Sequence, residues 1–267
     1  MNYSEIFDIE WAIPKHKELL FSQKSSSIVL VIPVINEGLA FQNQLKLIKK
    51  KINNIDIVIA DGGSTDNSTE HDFLSKNSVT AMLVKDDCGN LSSQLRIAYS
   101  WCLKQGYKGI ITMDGNNKDG VDGIDAIRIK LNQGYDYVQG SRYIKGSYSV
   151  NTPFDRVIGN RLIHAPLLSI FSRFYYTDTT NGFRGYSAKY LLNPRLQPFR
   201  DVFDDYQLLF YLTYQANLLG MKTCEVPVSR SYPKGKKIPT KIKGVNDKIK
   251  ILFQLISVVS GRYNPKN

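Results

Sequence analysis

Cysteine is scarce: Cys88, Cys102 and Cys224 are the only three in 267 residues. The odd count and the lack of any metal-ligand spacing exclude a disulfide-stapled scaffold or a zinc module, and predict free thiols in a reducing compartment. Long apolar runs are missing as well. The longest, Ile28 to Ile35 and Ile251 to Val259, fall short of the ~18 residues that a membrane-spanning helix needs. The opening MNYSEIFDIEWAIPKHKELLF carries acids where a secretory leader would be basic and then apolar, so a cytoplasmic protein is expected. There is no internal repeat and no low-complexity linker. What is present is a globular composition, 42% apolar and 22% charged. The length suits one or two domains burying about 70–75% of the unfolded surface.

The net charge is +11 and unevenly spread. Between Arg230 and Lys250, eight basic residues (Arg230, Lys234, Lys236, Lys237, Lys241, Lys243, Lys248, Lys250) stand against one acid, Asp247. Such a bias suits polyanionic company: nucleic acid, an anionic membrane surface or phosphorylated substrates. No RNP, zinc or helix-turn-helix signature accompanies it, so nucleic acid is not the expected partner.

Short apolar, β-branched runs alternate with helix-period stretches through the first half. Strands are predicted at 27–34, 55–60, 79–84, 109–113 and 135–140. Helices are predicted around Phe41–Ile52, Leu91–Cys102 and Ile124–Leu131. This alternation predicts an α/β fold, a doubly wound, mostly parallel sheet flanked by helices. Ligands of such sheets lie beyond the carboxyl ends of the strands. Three strand ends here release polar clusters, Pro33–Gly38, Asp61–Ser68 and Asp114–Asp119. A helix is also predicted over 153–171, with Arg156, Asn160 and His164 on one face. Two more follow, over 206–219 and from Lys248 to Val259.

The sharpest cluster is ITMDGNNKDG. Asp114 directly follows an apolar strand, and Asn116 at i+2 faces the same way on an extended segment, so both offer hard oxygens to Mg²⁺ or Mn²⁺. Asp119 supplies a second carboxylate if the loop curls back. An Asp-Gly turn capping the next helix is the alternative. In VIADGGSTDNS, Asp61 suits a base or ribose hydroxyl, and Gly62 and Gly63 allow close backbone approach; a plain turn with caps fits equally. Glu37 in VIPVINEG has the same two readings.

Five segments, IPVINE (32–37), ADGGSTD (60–66), MDGNNKD (113–119), QGSRY (139–143) and DTTNGFRGYS (178–187), resemble the family 2 glycosyltransferases of the GT-A fold. The resemblance is closest to the dolichol-phosphate mannose synthase and polyprenyl-phosphate glycosyltransferase branch, and spans roughly residues 27–230. It implies a Rossmann-like GT-A domain there, an N-terminal extension (1–26), and a basic loop with an amphipathic C-terminal helix (231–267). It implies an inverting transferase that takes a nucleotide-sugar donor. Pro33, Glu37, Asp61, Gly62, Asp114, Gly115 and Arg142 would contact the donor, and Asp114 with Asn116 would hold Mg²⁺ or Mn²⁺. Arg142 and Arg156 would face the donor phosphates or an anionic acceptor, and Arg184 would act likewise or pair with Asp178. Gly62 and Asn116 depart from the family's DDGS-x-D and D-x-D patterns, and Asn116 leaves the metal site one charge weaker.

Two acceptors fit. Asp204 and Asp205 resemble the acidic pair of saccharide-transferring relatives, which implies Asp205 as the general base for a saccharide hydroxyl, unless the pair caps the 206–219 helix. Alternatively, the tail YPKGKKIPTKIKG (232–244) resembles the basic segment of lipid-phosphate relatives, which implies that Lys234, Lys236 and Lys237 close over the phosphate of a polyprenyl phosphate or a lipid-linked glycan, as in surface polysaccharide assembly. The lysine-flanked last helix then suits peripheral contact with the inner membrane.

Overall fold

The sheet forms where both faces of a strand can be buried. In the computed structural model, which describes residues 11–233 and 244–265, the strands are β1 (His16–Leu20), β2 (Ile28–Val34), β3 (Asp56–Asp61), β4 (Ala81–Lys85), β5 (Gly109–Thr112), β6 (Tyr137–Ser141), β7 (Tyr148–Val150), β8 (Arg184–Ser187), β9 (Thr223–Pro227) and β10 (Ser229–Ser231). Eight form one sheet in the order β1-β4-β3-β2-β5-β8-β6-β9, and β7 pairs with β10 separately. The five strands predicted from the sequence all occur, displaced by at most two residues.

The helices are α1 (Gly38–Lys51), α2 (His71–Lys76), α3 (Leu91–Lys104), α4 (Gly123–Asn132), α5 (Phe154–Ile158), α6 (Ala165–Ser172), α7 (Ala188–Leu191), α8 (Gln207–Leu218) and α9 (Gly244–Val259). Alternate residues of β2 divide between two cores. Leu30 and Ile32 pack with Phe41, Leu45 and Ile48 of α1 and Ile124 and Ile127 of α4. Val29 and Val31 join Leu95, Ala98 and Tyr99 of α3, Leu208 and Leu212 of α8, and Leu255 of α9. Each such fully buried side chain contributes about 1.5–3 kcal/mol.

Three features differ from the sequence expectation. Residues 16–20, expected within an extension, form β1, which pairs antiparallel with β4 at the sheet edge. The GFR segment, to which the sequence assigned no element, contributes β8, which inserts antiparallel between β5 and β6. The helix expected over 153–171 is broken by a π-helical stretch, Gly159–His164, between α5 and α6. A π turn adds a residue to the repeat, which re-aims the side chains beyond it.

His164 ends that turn with a buried Nδ1 that has no hydrogen-bond partner. Burial lowers its pKa from the ordinary 6.5 to about 4. The unfolded chain therefore takes up this proton first, and stability falls as the pH drops from about 6.5 to 4, by roughly 3 kcal/mol at the acid end. In urea titrations across that window, His164→Leu should flatten the pH dependence; an unaltered slope would assign it to other groups.

Candidate active site

β3, β2 and β5 are neighbours and parallel, so their carboxyl ends open on one edge. Short bonds lace the loops that follow. Gly62 N donates to Val34 O (2.8 Å). Gly38 N donates to Asp66 (2.8 Å), and Thr65 N to Asn36 Oδ1 (2.8 Å). Buried Gln44 of α1 donates to Asp114 O (2.9 Å) and accepts from Asn117 N (2.7 Å). A β-carbon on Gly115 would lie 3.0 Å from Pro33 O, so glycine permits the β5 end to approach β2 that closely. The three clusters singled out in the sequence thus share one cleft edge.

Their side chains differ in availability. The Asp61 carboxylate is buried and accepts from Ser64 Oγ (2.6 Å) and Ser64 N (3.1 Å), the turn-capping arrangement. Pro33 and Glu37 are half-buried at the end of β2 and the start of α1. Gly62 has a physical reason to lack a side chain: a β-carbon there would overlap the Gln94 amide. Gln94 Nε2 donates to Val34 O (3.1 Å), so this glutamine fills the space that a second aspartate would use. Gly62→Asp should cost about 1–3 kcal/mol by overpacking, read as a drop in melting temperature. Adding Gln94→Ala should restore most of the loss; no rescue would mean that Gln94 is not the obstacle.

At the β5 end, Asp114 keeps its side chain 31% exposed while Arg230 donates to it at 3.1 Å. Asp114 Oδ1 lies against Gly182, whose β-carbon would come within 2.5 Å of it. Asn116 Oδ1 is buried without a partner. A carboxylate and an unsatisfied amide oxygen two residues apart fit a hard divalent cation that takes its other ligands from water and a diphosphate. No group of three or more acidic, histidine or cysteine residues able to hold a metal occurs among the described residues. Asp119 does not complete the set. It is fully buried and held at 2.6 and 2.8 Å by Arg230 Nη1, a two-oxygen ion pair. Burial pushes its pKa up against the pull of Arg230, while Asp119 and Asp114 hold the Arg230 guanidinium well above its ordinary value.

Arg142 is likewise committed. Its Nε and Nη2 donate to Asp178 at 2.6 and 2.8 Å, both side chains being buried. Burial disfavours its charge, but Asp178 offsets this and raises the pKa. Glu225 supports the arrangement from below, accepting from Thr177 N and Asp178 N. Its remaining nitrogen, Nη1, donates to Tyr232 Oη at 3.4 Å. Arg184 corrects the sequence expectation outright. It is 1% exposed in β8 and donates to the carbonyls of Asn181, Leu209 and Thr179, so it neither faces a ligand nor pairs with Asp178.

Sequence reading named Arg142 and Arg156 but missed Lys118, Arg230 and Tyr232, which complete the centre of positive charge. Lys118, Arg156 and Arg230 lie 5.5–5.7 Å from the Tyr232 ring centroid, and Arg142 and Arg156 donate to its hydroxyl at 3.4 Å. Burial alone would raise the Tyr232 phenol, yet Arg230, Arg142 and Arg156 hold it below its ordinary value. Burial, with Arg230 and Arg156 nearby, lowers the Lys118 pKa. Four cations therefore gather beside three carboxylates, Asp114, Asp119 and Asp178. The signals were Lys118 inside DGNNKDG and Arg230 at the head of the basic run.

Asp204 and Asp205 are both occupied. Asp204 Oδ1 accepts from Asn90 N and Ser93 Oγ (both 3.2 Å), capping α3 rather than α8. Asp205 is bound by Lys250 Nζ (2.9 Å) and Gln254 Nε2 (3.2 Å) of α9. Its carboxylate secures the C-terminal helix, which counts against a base role. Lys234, Lys236 and Lys237 lie outside the described residues.

No protein-family model matches the chain. The sequence is 23% identical over 212 residues to the polyprenol monophosphomannose synthase of Mycolicibacterium smegmatis, covering 75% of this chain and 76% of that protein. It is 27% identical over 238 residues to an uncharacterised protein of Methanocaldococcus jannaschii, covering 86% and 90% respectively. Among solved structures, glucosyl-3-phosphoglycerate synthase from Mycobacterium tuberculosis, in complex with Mn²⁺, UDP and glucosyl-3-phosphoglycerate, superposes with a TM-score of 0.63. Its identity is 14%, covering 90% of this chain and 81% of that one. The fold is that of the GT-A nucleotide-sugar transferases, and the similarity to the dolichol-phosphate mannose synthase branch of the family 2 glycosyltransferases read from the motifs agrees with these relatives.

Proposed function

We propose that this protein is an inverting glycosyltransferase that moves a sugar from a nucleotide-diphosphate donor to a lipid phosphate or lipid-linked glycan. One observation carries the reading: Lys118, Arg142, Arg156 and Arg230 converge on Tyr232 beside Asp114 at the carboxyl edge of a GT-A sheet. The UDP and Mn²⁺ held by the M. tuberculosis synthase support a nucleotide-sugar donor, and the name of the M. smegmatis relative supports a polyprenyl phosphate acceptor.

Asp114 and Asn116 would hold the divalent cation, which when bound supplies neutralisation of the diphosphate. Arg230, held by Asp119 through Nη1 and by Asp114 through Nη2, would contribute a permanent positive charge beside the departing diphosphate. Arg156 and the buried Lys118 would add positive charge toward an acceptor anion. Gln44 fixes the backbone on both sides of Asn116 through Asp114 O and Asn117 N, and so preorganises both oxygens. Arrangement before reaction is what makes such groups effective, because no reorganisation is needed as charge moves.

The state of Asp205 supports one acceptor over the other. A hydroxyl needs a general base, whereas a lipid phosphate is already anionic at pH 7. With Asp205 held by Lys250 and Gln254, the phosphate acceptor is favoured. Asp205→Asn should therefore leave transfer to polyprenyl phosphate nearly unchanged; a loss of about 10²–10⁴-fold, the size of a missing general base, would restore the hydroxyl reading. A donor-hydrolysis screen over UDP-, GDP-, CDP- and dTDP-sugars with Mn²⁺ tests the activity itself. Turnover of at least one donor is expected, and none with any donor or acceptor would overturn the proposal.

A further inference from the structure

We infer that Arg230 gates the proposed cation site: its guanidinium holds Asp114 until a diphosphate takes it over, so that diphosphate and divalent cation bind as a coupled pair. The inference rests on the proposed donor and cation, and adds how this chain's residues make one conditional on the other.

Asp114 is the charged member of the Asp114–Asn116 pair, and both of its oxygens are engaged. Oδ2 accepts from Arg230 Nη2 at 3.1 Å. Oδ1 lies against Gly182, where a β-carbon would come within 2.5 Å of it. Asn116 adds an oxygen without charge. A carboxylate that already neutralises a guanidinium offers a divalent cation less than its full charge. The surroundings oppose a cation further. Lys118, Arg142, Arg156 and Arg230 outnumber Asp114, Asp119 and Asp178, so the cluster is net positive. It therefore favours an anion as the first ligand.

Arg230 can change partners without moving its backbone. Ser231 N donates to Lys118 O and Gly120 N to Ser229 O, both at 2.8 Å, which pins the chain on either side of it. Its Nη1 is gripped by buried Asp119 at 2.6 and 2.8 Å. A single bond from Nη2 ties it to Asp114, whose side chain is 31% exposed. Two buried atoms here lack partners: Arg230 Nε, a donor, and Asn116 Oδ1, an acceptor. A phosphate oxygen suits the first and a cation the second. Transfer of Nη2 from Asp114 to a phosphate oxygen would restore the charge of the carboxylate while the diphosphate adds its own. By linkage, each ligand then tightens the other by the same factor.

Mn²⁺ titrations of the full chain, followed by paramagnetic resonance, test the gate without turnover. Mn²⁺ is added alone, then with UDP, GDP, CDP or dTDP, and with inorganic pyrophosphate, allowing for the complexes that these form with Mn²⁺ in solution. Wild type should bind Mn²⁺ about tenfold or more tightly once an anion is bound, the size of one hydrogen bond to a charged group. Arg230→Met/Asp119→Leu removes a buried pair together, which spares the fold and leaves the net charge unchanged. Mn²⁺ alone should bind this variant about tenfold more tightly than wild type, and the coupling should shrink by a like factor. Adding Asp114→Asn should erase that gain. Equal Mn²⁺ affinity of the double variant and wild type, or wild-type Mn²⁺ binding that no anion tightens, would overturn the inference. The wild-type titration needs no variant, so it decides the matter even if the double variant is unstable. Coupling with pyrophosphate but with none of the nucleotides would sink the proposed function and leave the exchange at Arg230 standing.

Discussion

Asp114→Ala is expected to lower sugar transfer by about 10²–10³-fold or more, the loss seen when one preorganised charge-stabilising group is removed. The fold should survive. Asp114 is the partly exposed partner of Arg230, and Asp119 still neutralises that guanidinium after the change. A shift in unfolding free energy of about 1 kcal/mol or less is expected. Mn²⁺ binding, followed by paramagnetic resonance in the presence of nucleotide diphosphate, should weaken in parallel, which separates a lost ligand from a lost fold. Asn116 alone cannot compensate, because a neutral amide oxygen contributes no charge. Unchanged turnover in a folded variant would reject Asp114 as the centre of the site.

Asp178→Ala is expected to be the most destabilising single change, by about 3–5 kcal/mol, because it leaves the Arg142 guanidinium buried without a counter-charge. With total stabilities of roughly 5–15 kcal/mol, that removes a large share of the fold's margin. The loop beneath adds to the loss: Asp178 also accepts from Thr180 N, and Asn160 and Glu225 hold the backbone on either side. Urea titration measures the effect. Removing both charges with Arg142→Met/Asp178→Leu should recover much of the stability, since an apolar pair of similar volume avoids the desolvation cost. A single-variant loss below about 1 kcal/mol would mean that the pair is solvated in solution and that Arg142 is available to a ligand after all.

The central sheet was legible because β2, β3 and β5 are buried on both faces, and continuous β-branched runs have few other uses. The strand-end clusters at 33–38, 61–68 and 114–119 were legible for the same reason: the rule that ligands sit beyond carboxyl ends depends only on strand direction. β1 and β8 were not, since each is short and pairs antiparallel with residues far along the chain, a non-local event without local periodicity. Motifs gave residue types but not burial. Arg142 and Arg184 carry the expected guanidinium, yet one is locked on Asp178 and the other is enclosed among carbonyls in β8. The cluster around Tyr232 was legible only in part: Arg142 and Arg156 were expected to face an anion, but Lys118, Arg230 and Tyr232 join them from separate segments. Gln94 and Gln44 look like ordinary polar positions on helices until the loops that they bind are seen.

The central claim is that a nucleotide diphosphate and a divalent cation meet at Asp114. Crystals grown with Mn²⁺ and the nucleoside diphosphate of the preferred donor test it directly through the anomalous signal of manganese. The account requires a peak at ligand distance from an Asp114 carboxylate oxygen and Asn116 Oδ1, with the diphosphate running toward Arg230. A well-ordered nucleotide with its diphosphate elsewhere on the sheet, and no manganese at Asp114, would contradict it.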